Sequence, residues 1–157
     1  MRSPEDVLKA NKAVVIRFNR EVIEQGNEDS FRALMAPNFI NRTAAPGTSP
    51  GADGMLFTFQ RVLRPAFPDL KVEIHDQVAE GDKVTTRKTL RGTHRGELLG
   101  IAATDEAVTI EAIDIVRLED GRYAEHWGVN TLGSVLAVLR AKPPAPAVPP
   151  PPSVAAG

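Results

Sequence analysis

The stretch Ile113 to Asn130, IDIVRLEDGRYAEHWGVN, constrains the fold more than any other part of the chain. Asp120-Gly121 is a tight-turn pair that tolerates positive φ, and strand-forming runs flank it, so a β-hairpin is expected. Upstream, Val108, Ile110, Ala112, Val116 and Leu118 recur at period two and should share one sheet face. Asp114 falls in register with them. A carboxylate on an apolar face is costly to ionise unless it is paired, and burial alone would raise its pKa toward neutrality. That suits a general base acting beside a carbonyl. The other register turns Ile113 and Ile115 inward and leaves Asp114 outside, salt-bridged to an arginine. On the first reading Asp114 is the chemical centre and Trp127, the single tryptophan, forms the wall beside it.

Helices precede this hairpin. Ser3 can cap, Pro4 suits a first helical position and Glu5-Asp6 favour the positive end of the dipole. Leu8, Val15, Phe18, Val22 and Ile23 continue at helical spacing until Gly26 ends the helix. A short helix is expected over Asn27 to Met35, then a short extended piece from Phe39 to Thr43 and the loop AAPGTSPGADG. A third helix should run from about Ala52 to Ala66, carrying Leu56, Phe57, Phe59, Val62 and Leu63. From Leu70 the pattern is mostly strands. Lys83 to His94 is Thr-rich and polar on both faces, which suits a strand lining a wet cavity or one at a sheet edge. Thr131 to Ala141 reads as a short C-terminal helix, and residues 142–157 as a polyproline-like tail outside the core. The expected fold is α+β: three N-terminal helices packed on one face of a curved antiparallel sheet to form a cone, in one domain over residues 1–141.

Composition removes several functions. With 19 basic and 20 acidic residues the formal charge is −1, leaving no footprint for nucleic acid or an anionic membrane. No cysteine is present, so disulfides and thiolate chemistry are excluded. No apolar run approaches the ~20 residues that span a bilayer, and the charged N-terminus lacks a secretory core. A soluble, cytoplasmic protein is the expectation. The three histidines, His75, His94 and His126, show no ligand spacing, so no metal is expected. Phosphate-binding glycine loops and Gly-x-Ser-x-Gly are likewise missing.

Several stretches together resemble the SnoaL-like polyketide cyclase, or ester cyclase, family of the nuclear transport factor 2-like superfamily. They are Ala45-Pro46-Gly47, Phe67-Pro68-Asp69-Leu70, Ala79 to Val84, Gly92 to Glu97, and the hairpin with its Asp-Gly-Arg turn and Glu125-His126-Trp127. The resemblance spans roughly residues 8 to 140 and implies the helix-lidded cone, commonly dimeric through its outer sheet face. It also implies intramolecular aldol condensation without metal or organic cofactor. The family's acid/base aspartate maps onto Gly128, and its assisting histidine onto Asp114. An acid therefore stands where the imidazole would be, and the aspartate is absent. Asn41 matches an asparagine that lines the family's pocket.

The expected catalytic residues are Asp114 as base and His94 as acid or hydrogen-bond donor. Asn41, Trp127, Phe59 and Arg42 are expected to bind substrate, with Asn41 donating to a carbonyl and Arg42 holding an acidic group. His126, opposite in parity to Trp127, is expected on the outer face, near a dimer interface. The function so read is a cofactor-independent enzyme acting on a small hydrophobic carbonyl compound of polyketide type. The alternatives are a non-catalytic protein that binds a small ligand in the same pocket and an assembly module using the outer sheet.

Overall fold

The structure, a computed structural model, describes residues 2–146. Helix α1 (Pro4–Arg17) starts on the expected signal. Ser3 accepts from the Asp6 amide, and the Asp6 carboxylate accepts from the Ser3 amide in return. The helix widens into a π-helical segment (Phe18–Glu24) and stops at Gly26, where φ is 68°. Helix α2 (Glu28–Leu34) follows, capped by Asn27. Strand β1 (Met35–Asn41) begins where a helical turn was expected. Pro37 cannot continue a helix, and the residue before a proline is pushed toward extended backbone. The expected third helix is present in three consecutive parts: α3 (Ala52–Phe57), a π-helical turn (Thr58–Leu63) and α4 (Arg64–Ala66). Its end is tied to the end of the first helix. The Arg64 guanidinium donates to the carbonyls of Ile23 and Glu24, and Gln60 donates to the Gly26 carbonyl at 3.0 Å.

The remainder is β2 (Lys71–Glu80), β3 (Lys83–Thr93), β4 (Ala107–Glu119), β5 (Arg122–Asn130) and helix α5 (Leu132–Arg140). The sheet is open, in the order β1-β5-β4-β3-β2. The meander is antiparallel, and β1 closes onto β5 in parallel. The Lys83 to His94 stretch is thus an interior strand and not an edge. The helices lie over the inner sheet face, where Phe18 stacks on Tyr123 with ring centres 4.3 Å apart. Val84, Leu90, Val108, Ile110, Val116 and Leu118 are buried there with Val22, Ile23 and Phe67. The inward set on β4 is the one that period two picks out. Of the Pro-rich tail, residues 147–157 lie outside the described residues; Ala145 before them donates to the Ala103 carbonyl at 2.7 Å.

The β4–β5 hairpin departs from simple alternation at one place. Its turn has φ of 50° at Asp120 and 74° at Gly121, as a two-residue Asp-Gly turn requires. From there Glu119 pairs with Arg122 and Leu118 with Tyr123, but Arg117 pairs with Glu125. Ala124 is an extra residue, a β-bulge. Beyond it every β5 side chain lies on the face opposite to the one that regular pairing assigns.

Candidate active site

A cavity of about 350 Å³ separates the helices from the concave sheet face. Most of its wall is apolar: Val15, Phe18 and Ile23 from the first helix, Met55, Phe59 and Leu63 from the third, and Ile110 and Val116 from β4. Polar groups gather on one side, from Asn19, Asn41, Lys88, Asp114 and His126. They form one hydrogen-bonded line across five separate elements.

Asp114 stands at its centre. Its Oδ1 meets His126 Nε2 at 2.9 Å, and its Oδ2 meets Lys88 Nζ at 2.8 Å. The Asp114, Lys88 and His126 side chains are 15%, 9% and 16% exposed, so the contacts are sheltered from water. Lys88 also donates to Asn19 Oδ1 at 2.8 Å, and Asn19 in turn donates to the Val15 carbonyl. At the other end His126 Nδ1 lies 2.8 Å from Asn41 Oδ1. The Thr43 amide donates to that same oxygen at 3.2 Å, which fixes it as an acceptor. With acceptors at both ring nitrogens, the imidazole is fully satisfied only when each nitrogen carries hydrogen.

The electrostatics overturn the expectation that Asp114 is a carboxylate made basic by burial. Desolvation does push its pKa up, but the Lys88 charge, the His126 hydrogen bond and charge, and the Lys88 hydrogen bond outweigh it. The carboxyl is held well below the usual carboxylate range. Tyr123, buried nearby, is shifted far upward by desolvation and by the Asp114 charge, so it stays a phenol.

Gly128 pairs directly with Asp114 across the hairpin. A Cβ there would sit 2.7 Å from Asp114 Oδ1 and 2.9 Å from His126 Cε1. The missing side chain makes room for the Asp114–His126 contact. The acid and the imidazole stand on strands exchanged relative to the pattern that the resemblance implies.

Of the residues singled out from the sequence, Asp114, Asn41 and Phe59 line this cavity. Trp127, Arg42 and His94 do not line it. Trp127 pairs with Ile115 and faces outward, because the Ala124 bulge reverses its side. The same bulge brings His126 inward, against the expectation of an outer-face position. Arg42 follows the inward Asn41 and points away, held at 2.8 Å by Glu125. His94 is buried past the end of β3 against Phe67, with Nδ1 3.0 Å from Thr104 Oγ1. Lys88 and Asn19 escaped the sequence reading. Alternation places Lys88 on the face of Val84 and Leu90, and that was the available signal. Among the described residues no three His, Asp or Glu side chains gather in a way that could hold a metal ion, and no described helix is long and apolar enough to cross a membrane.

A helix-covered, open curved sheet around an apolar cavity with a short polar line defines the class of cone-shaped α+β domains. Within that class the chain belongs to the SnoaL-like polyketide cyclase family, whose model matches residues 13–137. Three solved structures show the same fold over most of the chain. TsrD from Streptomyces laurentii is 27% identical, covering 85% of this chain and 96% of its own, with a TM-score of 0.74. A protein from Jannaschia sp. CCS1, provisionally described as a SnoaL-like polyketide cyclase, is 27% identical over 91% and 99%, with a TM-score of 0.76. IdmH from Streptomyces antibioticus, provisionally described as a polyketide cyclase, is 30% identical over 83% and 98%, with a TM-score of 0.72. No curated protein matches the chain.

Proposed function

We propose that this protein is a cofactor-independent acid–base enzyme that closes a ring in a small hydrophobic polyketide-type carbonyl compound by aldol condensation. The observation that carries the reading is the Asp114–His126 contact, 2.9 Å long, at the polar side of an otherwise apolar cavity. A neutral His126 ring, with the substrate in place of Asn41 at Nδ1 and Nε2 still on Asp114, takes the proton from a carbon flanked by carbonyls. A carbon–carbon bond then forms between that carbon and a second carbonyl carbon of the same molecule. The alkoxide so made recovers the proton from His126. Between these steps the ring is an imidazolium, the form whose two N–H groups Asp114 and Asn41 satisfy, so the site complements the charged intermediate. Asp114, held ionised, is the fixed counter-charge and not the base. A second reading, a binding protein without chemistry, is favoured by one observation: both His126 nitrogens are already engaged, by Asp114 and by Asn41.

Hydrophobic β-dicarbonyl esters in deuterated buffer separate the two. The enzyme accelerates exchange at the acidic carbon, and His126→Gln lowers that rate by about a hundredfold or more. Saturable binding of these esters with exchange no faster than in buffer would leave only the binding reading.

A further inference from the structure

The polar line contains one charged donor with capacity to spare. Lys88 Nζ carries three hydrogens. Two are directed at Asp114 Oδ2 and Asn19 Oδ1, each at 2.8 Å. The side chain is 9% exposed and lines the cavity, and no third acceptor meets Nζ among the described residues. His126 has no such reserve, since Asn41 and Asp114 occupy both its nitrogens. The other polar side chains of the line, Asn19 and Asn41, are neutral. A buried ammonium short of one acceptor, in a wall that is otherwise largely apolar, favours an oxygen that carries negative charge.

We propose that Lys88 is the oxyanion-holding residue of this cavity, its third N–H binding the charged oxygen of an enolate, phenolate or carboxylate on the ligand. The inference rests on the reading that the cavity receives a small carbonyl compound, and it assigns that compound an anionic oxygen. Asp114 and Asn19 act as positioning residues. They hold the ammonium from two sides, with its stem packed along β3, so that one direction stays open. The π-helical segment contributes Asn19 to this arrangement, the second anchor of an amine that Asp114 alone would leave free to swing.

The test compares two ligands of nearly the same shape, 1-hydroxy-2-naphthoate and its methyl ester, by their own fluorescence on titration with the full chain. The wild type should bind the anion at least about tenfold more tightly than the ester, as a charge-assisted hydrogen bond in a sheltered site supports. Lys88→Met should abolish or reverse that preference while keeping the affinity for the ester, which also reports an intact cavity. Should Lys88→Met fail to fold, Asn19→Asp serves instead. It leaves Lys88 in place but gives the ammonium a second carboxylate, and the preference should again fall. An anion preference unchanged in the folded variant overturns the role of Lys88, as does a wild type that binds both ligands equally; either leaves the cavity reading standing. A wild type that binds neither ligand removes both.

Discussion

At the scale of single residues, the site is decided by who faces whom across the hairpin. Gly128 is a close constraint on the site, because any side chain there displaces Asp114 or His126. Gly128→Ala should therefore lower carbon-acid exchange by about a hundredfold, since a misplacement of about 1 Å is costly in catalysis. Exchange kinetics at the wild-type rate would show that the Asp114–His126 contact is dispensable. Asp114 was legible in the sequence because its register with Val116 and Leu118 survives in the fold. Its charge state was not legible. The partners that set it, Lys88 and His126, sit on two other strands, and Lys88 lies in a Thr-rich run that reads as polar on both faces. His94 drew attention as a strand-end histidine, yet the strand carries it past the cavity to a buried place beside Phe67.

At the scale of elements, the helices hold to the sheet through a few polar clips as well as the apolar core. Glu24, at the end of the first π-helical segment, accepts from the Val72 amide at 2.7 Å, while Arg20 donates to the Val72 carbonyl at 2.6 Å. Glu24→Ala leaves the Val72 amide without its carboxylate and should lower the unfolding free energy by about 1–3 kcal/mol, measured by urea denaturation. No change would mean that water replaces the carboxylate there. The helix starts at Ser3 and Asn27, and the Asp120-Gly121 turn, were readable because capping and turn chemistry are local. The π-helical widenings were not, since their apolar spacing over a turn or two differs too little from α-helical spacing. Nor was the parallel pairing of β1 with β5, which depends on contacts distant in sequence.

For the molecule as a whole, the buried ionic line ties stability to pH. Asp114 binds a proton less readily when folded than when unfolded, so its contribution is complete above about pH 4 and is lost as the pH falls further. Asp114→Asn leaves Lys88 without its counter-charge and should cost about 3 kcal/mol at neutral pH. That difference from the wild type should shrink as the solution is acidified from pH 4 toward pH 2. Asp69, Glu21 and Glu125 are also shifted downward, and they weaken both proteins in acid alike. The gap between the two unfolding curves therefore isolates Asp114. A gap that stays constant across that range would mean that its ionised form is not favoured by folding.

The supernumerary Ala124 has a bearing on how such cavities change over time. Point substitutions alter one contact at a time, and loss of this one codon would only remove the bulge, since Glu125 already faces Arg117 and His126 faces Val116. Regular pairing that kept Ala124 would instead turn over the rest of the strand. His126, Gly128 and Asn130 would leave the interior together, and Glu125, Trp127 and Val129 would enter in their place. Exchange between bulged and regular pairing at that spot would give the cavity a new set of groups without a change of architecture.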